Sequence, residues 1–254
     1  MAEQPANLPY RWLAEYYDRV FGVDRSALEA ARREVLGPIL PRVNSGCDLA
    51  CGSGTEAVAM AWKGVRMFAV DLSPAMCRLA RQKARIAGVR LQVLCADMRT
   101  FRLPSKVDLV TCEGDALNHV PGKSDLIHVA RSVAKALSPG GYFYFDVNNR
   151  AGFKSYWGTT LWMEAPGVVA VLRGTHDCAR DHAWVDVEWF IRSGRCWKRR
   201  HERVDEVCWG AAEIRRTLRA AGFTDVRAWD SAPFFANSIV GPGCRTVYLA
   251  RMPR

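Results

Sequence analysis

The sequence predicts an α/β fold built on a doubly wound parallel sheet, and three observations predict it. From Val43 to about Phe145, short β-rich runs alternate with helical runs at the rhythm of a parallel sheet covered by helices. The first strand runs into a glycine-rich turn, Asp48-Leu49-Ala50-Cys51-Gly52-Ser53-Gly54-Thr55, that opens the next helix. Acids recur at the ends of three successive strands, as Asp48, Asp71 and Asp97. In such a sheet ligands gather at the carboxyl ends of the strands.

Candidate strands are Gly46–Ala50, Val65–Val70, Val89–Cys95, Val107–Cys112 and Tyr142–Val147. Helices are expected at Thr55–Lys63, Pro74–Ala87 and Ser124–Leu137, with Pro74 in a first turn and Pro139-Gly140-Gly141 ending the last helix. Two helices, Pro9–Phe21 and Arg25–Leu40, precede them. After Val147 the character changes, because Thr160–Glu164, Val168–His176, Ala183–Arg192 and Arg195–Val207 are β-type runs without helices between them. Within Ala183–Arg192, Val185, Val187, Trp189 and Ile191 fall on one face, so a three- or four-stranded antiparallel sheet is implied over roughly 148–209. The chain returns to its first rhythm with a helix at Ala211–Ala221 and strands at Asp225–Trp229 and Arg245–Arg251.

Composition narrows the class. With 254 residues, 49% hydrophobic and 24% charged, the chain can enclose a core and a ligand cavity, which excludes a disordered or fibrous protein. No apolar run approaches the roughly 18 to 20 residues of a membrane span, and Met1–Trp12 has no secretory pattern, so the expected address is the cytoplasm. Nine cysteines, an odd count without zinc-ligand spacing, read as free thiols with no metal. The net charge of +10 comes mostly from arginines scattered along the chain, apart from Lys198-Arg199-Arg200-His201-Glu202-Arg203. A nucleic-acid partner is therefore not expected. Exposed strand edges could pair in a homodimer.

The glycine turn lets the backbone approach a ligand closely, and the helix that follows offers unpaired N–H groups. Alone it is ambiguous, since Gly52-Ser53-Gly54-Thr55-Glu56-Ala57 also fits the dinucleotide fingerprint of an NAD(P)-dependent oxidoreductase. Asp71 could take both hydroxyls of an adenosine ribose with either ligand. Asp97 could accept from an adenine amino group while Met98 packs on the ring, and Asp48 stands where a dinucleotide fold usually has an apolar residue.

These residues resemble the first motifs of the class I S-adenosylmethionine-dependent methyltransferases. The segments Tyr16-Tyr17-Asp18, Ala96-Asp97-Met98-Arg99, Asp115-Ala116-Leu117-Asn118-His119-Val120, Leu137-Ser138-Pro139-Gly140-Gly141 and Phe145-Asp146-Val147-Asn148 are similar to those of a small-molecule subgroup, the sugar-amine and glycine-type N-methyltransferases. The resemblance implies a Rossmann-like sheet of seven strands, the last antiparallel, formed by 1–147 and 210–254 with an N-terminal helical lid. It implies that 148–209 is an inserted antiparallel substrate cap. S-adenosylmethionine, leaving as S-adenosylhomocysteine, would contact Tyr17, Asp48, Ala50, Gly52, Gly54, Asp71, Leu72, Met76, Asp97, Met98 and Glu113.

Methyl transfer from a sulfonium is an in-line displacement, so a protein mainly supplies proximity, alignment and a dry pocket. An amine acceptor must lose its proton first. His119 is the first candidate to take it, with Tyr17 closing over the sulfonium and Tyr16, Asn118 and Asn148 contacting a small-molecule substrate. An RNA-modifying methyltransferase is the remaining alternative, and it rests on charge alone.

Overall fold

The computed structural model describes residues 13–20, 26–234 and 243–254. Two helices come first, α1 (Leu13–Val20) and α2 (Ser26–Leu36); the ends of the expected helix Pro9–Phe21 lie outside the described residues. The core then alternates as β1 (Ser45–Leu49), α3 (Thr55–Trp62), β2 (Arg66–Asp71), α4 (Pro74–Ile86), β3 (Leu91–Cys95), β4 (Val107–Cys112), α5 (Lys123–Ala136) and β5 (Leu137–Asn148). A short helix α6 (Arg150–Tyr156) leads to β6 (Thr160–Ala165), β7 (Val168–Asp177), β8 (His182–Ser193) and β9 (Cys196–Val207). The chain closes with α7 (Ala211–Ala220), β10 (Asp225–Asp230) and β11 (Arg245–Arg251).

Seven strands form one sheet in the order β3-β2-β1-β4-β5-β11-β10. β1 to β5 pair in parallel, and β11 runs antiparallel to both β5 and β10. The strand order reverses at β1 and β4, which opens a crevice at their carboxyl ends. Alternating side chains bury the two faces separately. Leu49, Val70, Phe143 and Phe145 pack with Leu126 and Val129 of α5 and Ile214 and Leu218 of α7, while Met67, Ala69 and Tyr144 pack with Val35 of α2 and Met60 of α3.

The second sheet is the antiparallel meander β6-β7-β8-β9. Its apolar face is the one the periodicity of β8 picks out: Val187 and Trp189 bury against Val168, Ala170 and Val20 of α1. The N-terminal helix thus closes against the inserted sheet.

Two expectations need correction. Pro139-Gly140-Gly141 does not stop a helix, because α5 already ends at Ala136. It forms a bulge inside β5, where the register with β4 jumps from Val107↔Leu137 to Leu109↔Tyr142 and Gly140 takes φ of 75°. The helix α6 was not expected. It is capped by the Asn149 side chain, which accepts from Gly152 N–H at 3.1 Å, and a Cβ at Gly152 would stand 2.3 Å from the Cys244 carbonyl oxygen. All nine cysteines are free thiols, and among the described residues no helix is long and apolar enough to cross a membrane.

Phe145 is fully buried and stacks on Phe143 and Tyr248 with ring centroids 4.6 and 4.9 Å apart. Phe145→Ala should lower unfolding free energy by about 3–5 kcal/mol in denaturant titration. A loss below about 1 kcal/mol would show that this stack does not hold β5 to β11.

Candidate active site

A cavity of about 430 Å³ opens at the carboxyl ends of β1 to β4. Its floor is Leu49, Ala50 and Gly52 from the glycine turn; one side is Asp71, Leu72, Ser73 and Met76 from the β2–α4 junction. Ala96, Asp97, Met98 and Arg99 follow β3, and Glu113, Gly114, Ala116 and His119 follow β4. Tyr17 of α1 closes the rim.

Ala50, Gly52 and Gly54 all have positive φ, at 56°, 53° and 79°. The two glycines take this region freely and Ala50 is the strained member, and Asp71 anchors the turn. One carboxylate oxygen accepts the Gly52 N–H and the other accepts the Ser73 N–H, both at 2.8 Å. Burial pushes the carboxyl up while these two bonds pull it down. Each oxygen keeps a lone pair for a further donor, which suits a vicinal diol.

Asp97 also faces the cavity, yet Arg99 holds it through its guanidinium, with Nε at 3.0 Å from both oxygens and Nη2 at 2.5 Å. These bonds keep its carboxyl below the usual range. Arg99 reaches Asp125 of α5 as well, at 3.1 Å. Met76, Met98 and Leu72 give this end of the cavity an apolar lining.

Glu113 is fixed by Arg32 of α2, whose Nε and Nη2 reach its two oxygens at 2.7 and 2.5 Å. Arg32 also pairs with Glu56 of α3. A carboxylate with both oxygens on one guanidinium is a wall group rather than an open hand for a cation. Sequence reasoning missed this clamp because its members lie on α2, α3 and the end of β4, and only the fold brings them together. It also missed the second tie of the N-terminal segment: Asp18 accepts from Ser53 at 2.6 Å and pairs with Lys83 at 2.7 Å, beside Tyr17.

Five of the expected contact residues do not line the cavity. Asp48 lies within β1, 5% exposed, and accepts from Thr111 Oγ1 at 3.0 Å. Gly54 packs against α4, where a Cβ would meet Ala80 Cβ at 2.7 Å. Tyr16 packs with Val20 against the inserted sheet, and the Arg19 guanidinium sits over its ring. Asn118 is consumed as a brace, donating to the carbonyls of Asn148 at 3.1 Å and Val207 at 2.9 Å and accepting the Asn148 N–H at 2.9 Å. Asn148 is buried beneath that brace. His119 does face the cavity, with Nδ1 3.2 Å from the Asp205 carbonyl oxygen. A carbonyl can only accept, so Nδ1 carries the proton and Nε2 is the basic nitrogen.

Burial and the neighbouring Glu113 charge push the Asp48 carboxyl up to about 7. Its folded value lies above its unfolded one, so its contribution to stability is complete below about pH 4 and is lost as pH rises through about 7. Asp48→Asn keeps an acceptor for Thr111 and removes that loss. Urea titrations should show the variant gaining on the parent by up to about 4 kcal/mol between those pH values. Parallel pH profiles would mean that Asp48 stays ionised in the fold.

Comparison with known proteins agrees with this geometry. Residues 47–141 match the family model of a methyltransferase domain. The Bacillus subtilis protein YqeM, assigned as a methyltransferase by name, is 26% identical over 189 residues, 72% of this chain and 75% of its own length. A ubiquinone biosynthesis O-methyltransferase of Aliivibrio fischeri is 34% identical over 132 residues, 51% of this chain. The chain spans about half, 54%, of that relative's length. Among solved structures, an S-adenosylmethionine-dependent methyltransferase from Clostridium acetobutylicum superposes with a TM-score of 0.80 at 22% identity, over 96% of this chain and 99% of the other. A sugar N-methyltransferase from Streptoalloteichus gives 0.79 at 22%, over 100% and 97%. An amino pentose methyltransferase from Micromonospora echinaspora, solved with S-adenosylmethionine, gives 0.71 at 21%, over 98% and 99%. Residues 47–141 thus match a methyltransferase domain, and the chain has the fold of the class I S-adenosylmethionine-dependent methyltransferases.

Proposed function

We propose that this protein transfers the methyl group of S-adenosylmethionine to the nitrogen of a small-molecule amine, and that β6 to β9 cap the acceptor. The convergence of Asp71, the apolar residues Leu72, Met76 and Met98, and His119 on one cavity carries the reading. The residues fit the cofactor. Asp71 offers two carboxylate oxygens to a ribose diol, the two methionines and Leu72 suit an adenine face, and Tyr17 stands over the rim. When bound there, the sulfonium supplies an electrophilic methyl.

The chain's own residues supply the rest. Ala50, Gly52 and Asp71 fix the cofactor's position, Tyr17 and α1 exclude water, and His119 Nε2 accepts the proton that an amine must lose. The full-length structural likeness to sugar and amino pentose methyltransferases supports an amine acceptor. Identity to the ubiquinone O-methyltransferases over the core favours a hydroxyl acceptor as the second reading. A dinucleotide-dependent oxidoreductase finds no support in these likenesses.

The direct test is methyl transfer from labelled S-adenosylmethionine to matched pairs of amines and alcohols, amino sugars with their parent sugars foremost. The reading requires methylated amines; products on the alcohols alone would replace it with O-methylation. Asp71→Ala should weaken S-adenosylhomocysteine binding by about 10- to 100-fold in calorimetry, as expected when hydrogen bonds to a charged group are lost. Unchanged affinity would remove the ribose assignment. His119→Ala should lower kcat by about 10²-fold or more at constant cofactor affinity, and full activity would eliminate its role as proton acceptor.

A further inference from the structure

Nine free thiols lie along the chain, and the fold brings two of them together just behind the cavity wall. Leu91, Val93 and Cys95 alternate onto one face of β3, and α4 packs on β2 and β3. Cys95 stands level with Asp71 of β2, and its sulfur lies 3.6 Å from the Leu72 carbonyl oxygen. Cys77, near the start of α4, reaches the same two strands, with its sulfur 3.5 Å from the Asp71 carbonyl oxygen and 3.7 Å from that of Leu94. The two thiols are thereby in hydrogen-bonding contact with each other.

They differ in access. Cys77 is fully buried, whereas Cys95 is exposed. Burial and the neighbouring Cys95 push the Cys77 thiol up to about 12, so it stays protonated, and Cys95 is the sulfur that meets an oxidant. Both stand one residue from the wall of the cavity. Met76 precedes Cys77, Ala96 follows Cys95, and Asp71 and Leu72, whose carbonyls they touch, line the cavity as well.

We propose that Cys95 is a peroxide-sensitive modification site with Cys77 as its resolving thiol, and that the disulfide between them weakens cofactor binding. The second half rests on reading the cavity as a methyl-transfer site. Hydrogen peroxide oxidises the Cys95 thiol to a sulfenic acid; the O–O bond breaks, the S–O bond forms and one water leaves. The Cys77 sulfur then attacks the Cys95 sulfur. The S–S bond forms as the S–O bond breaks, and the hydroxide departs with the Cys77 proton as a second water. The two thiols give up two electrons and one peroxide takes both. Bonded sulfurs stand closer than hydrogen-bonded ones, so the link draws the start of α4 toward the end of β3. Met76 moves with that turn, and so does Ser73, which caps α4 and donates to Asp71.

The test treats the full chain with hydrogen peroxide and maps it with trypsin, which leaves Cys51, Cys77 and Cys95 on three separate peptides. The expected product is a cross-link between the Cys77 and Cys95 peptides that dithiothreitol reverses. Calorimetry with S-adenosylhomocysteine should show affinity falling about tenfold on oxidation and returning on reduction, the size of one lost hydrogen bond to a charged group. Cys95→Ser should bind like the reduced parent and lose both responses to peroxide. Absence of the cross-link, a bond from Cys77 to Cys51 in its place, unchanged affinity in the cross-linked protein, or a serine variant that still loses affinity under peroxide would each overturn the proposal. Should the variant fail to fold, the wild-type map and its reversal still decide. Reduced wild-type protein that binds no S-adenosylhomocysteine would overturn the methyl-transfer reading and with it the cofactor half, while the peptide map still decides whether the two thiols join.

Discussion

The Asp71 carboxylate is the constraint on which the site depends. The turn after β1 holds left-handed residues at Ala50, Gly52 and Gly54, and an alanine in that region is strained by about 1 kcal/mol or more. Asp71 offsets the strain by accepting one N–H from that turn and one from the turn after β2. It thereby fixes two adjacent strand–helix junctions to each other and keeps its outer lone pairs toward the cavity. The register of β1 with β2 makes this possible, because Leu49 pairs with Val70 and leaves Asp71 level with the start of the turn.

A second set of charges, buried around Arg32 and partly exposed around Asp18, joins the N-terminal helices to this floor. Arg32 holds Glu113 and Glu56, and Asp18 holds Ser53 and Lys83, so α1 and α2 are tied to the glycine turn and its helix by charge-assisted bonds as well as by apolar packing. Breaking the buried Arg32 pairs by removing one member costs more than the pairs themselves contribute, since the survivor is left uncompensated. The position of Tyr17 over the cavity follows from these ties and from the packing of α1 against β7 and β8.

Much of the architecture was legible in the sequence, because period-two and helical patterns report burial, and burial here is simple. The alternation of Val185, Val187, Trp189 and Ile191 named the buried face of β8, and Gly52 with Asp71 named the end of the sheet where the cavity opens. What escaped were features that depend on long-range pairing. Pro139-Gly140-Gly141 has the chemistry of a helix stop, and only the pairing of β4 with β5 turns it into a bulge. Asn118 has the chemistry of a substrate contact, yet its amide is spent bridging β5 and β9. Asp48 has a motif position but lies below the floor, and the Arg32 clamp leaves no local signal. Charged residues in a sequence reveal their type, whereas their partner is a property of the fold.

The identity of the ligand that the cavity accepts decides between methyl transfer and dinucleotide chemistry. Isothermal calorimetry of the wild-type protein with S-adenosylmethionine and S-adenosylhomocysteine, run beside NAD and NADP, addresses it most directly. One saturable site for each sulfur ligand, with no heat of binding from either dinucleotide, is the expected result. Saturable binding of a dinucleotide with none of the sulfur pair would contradict it.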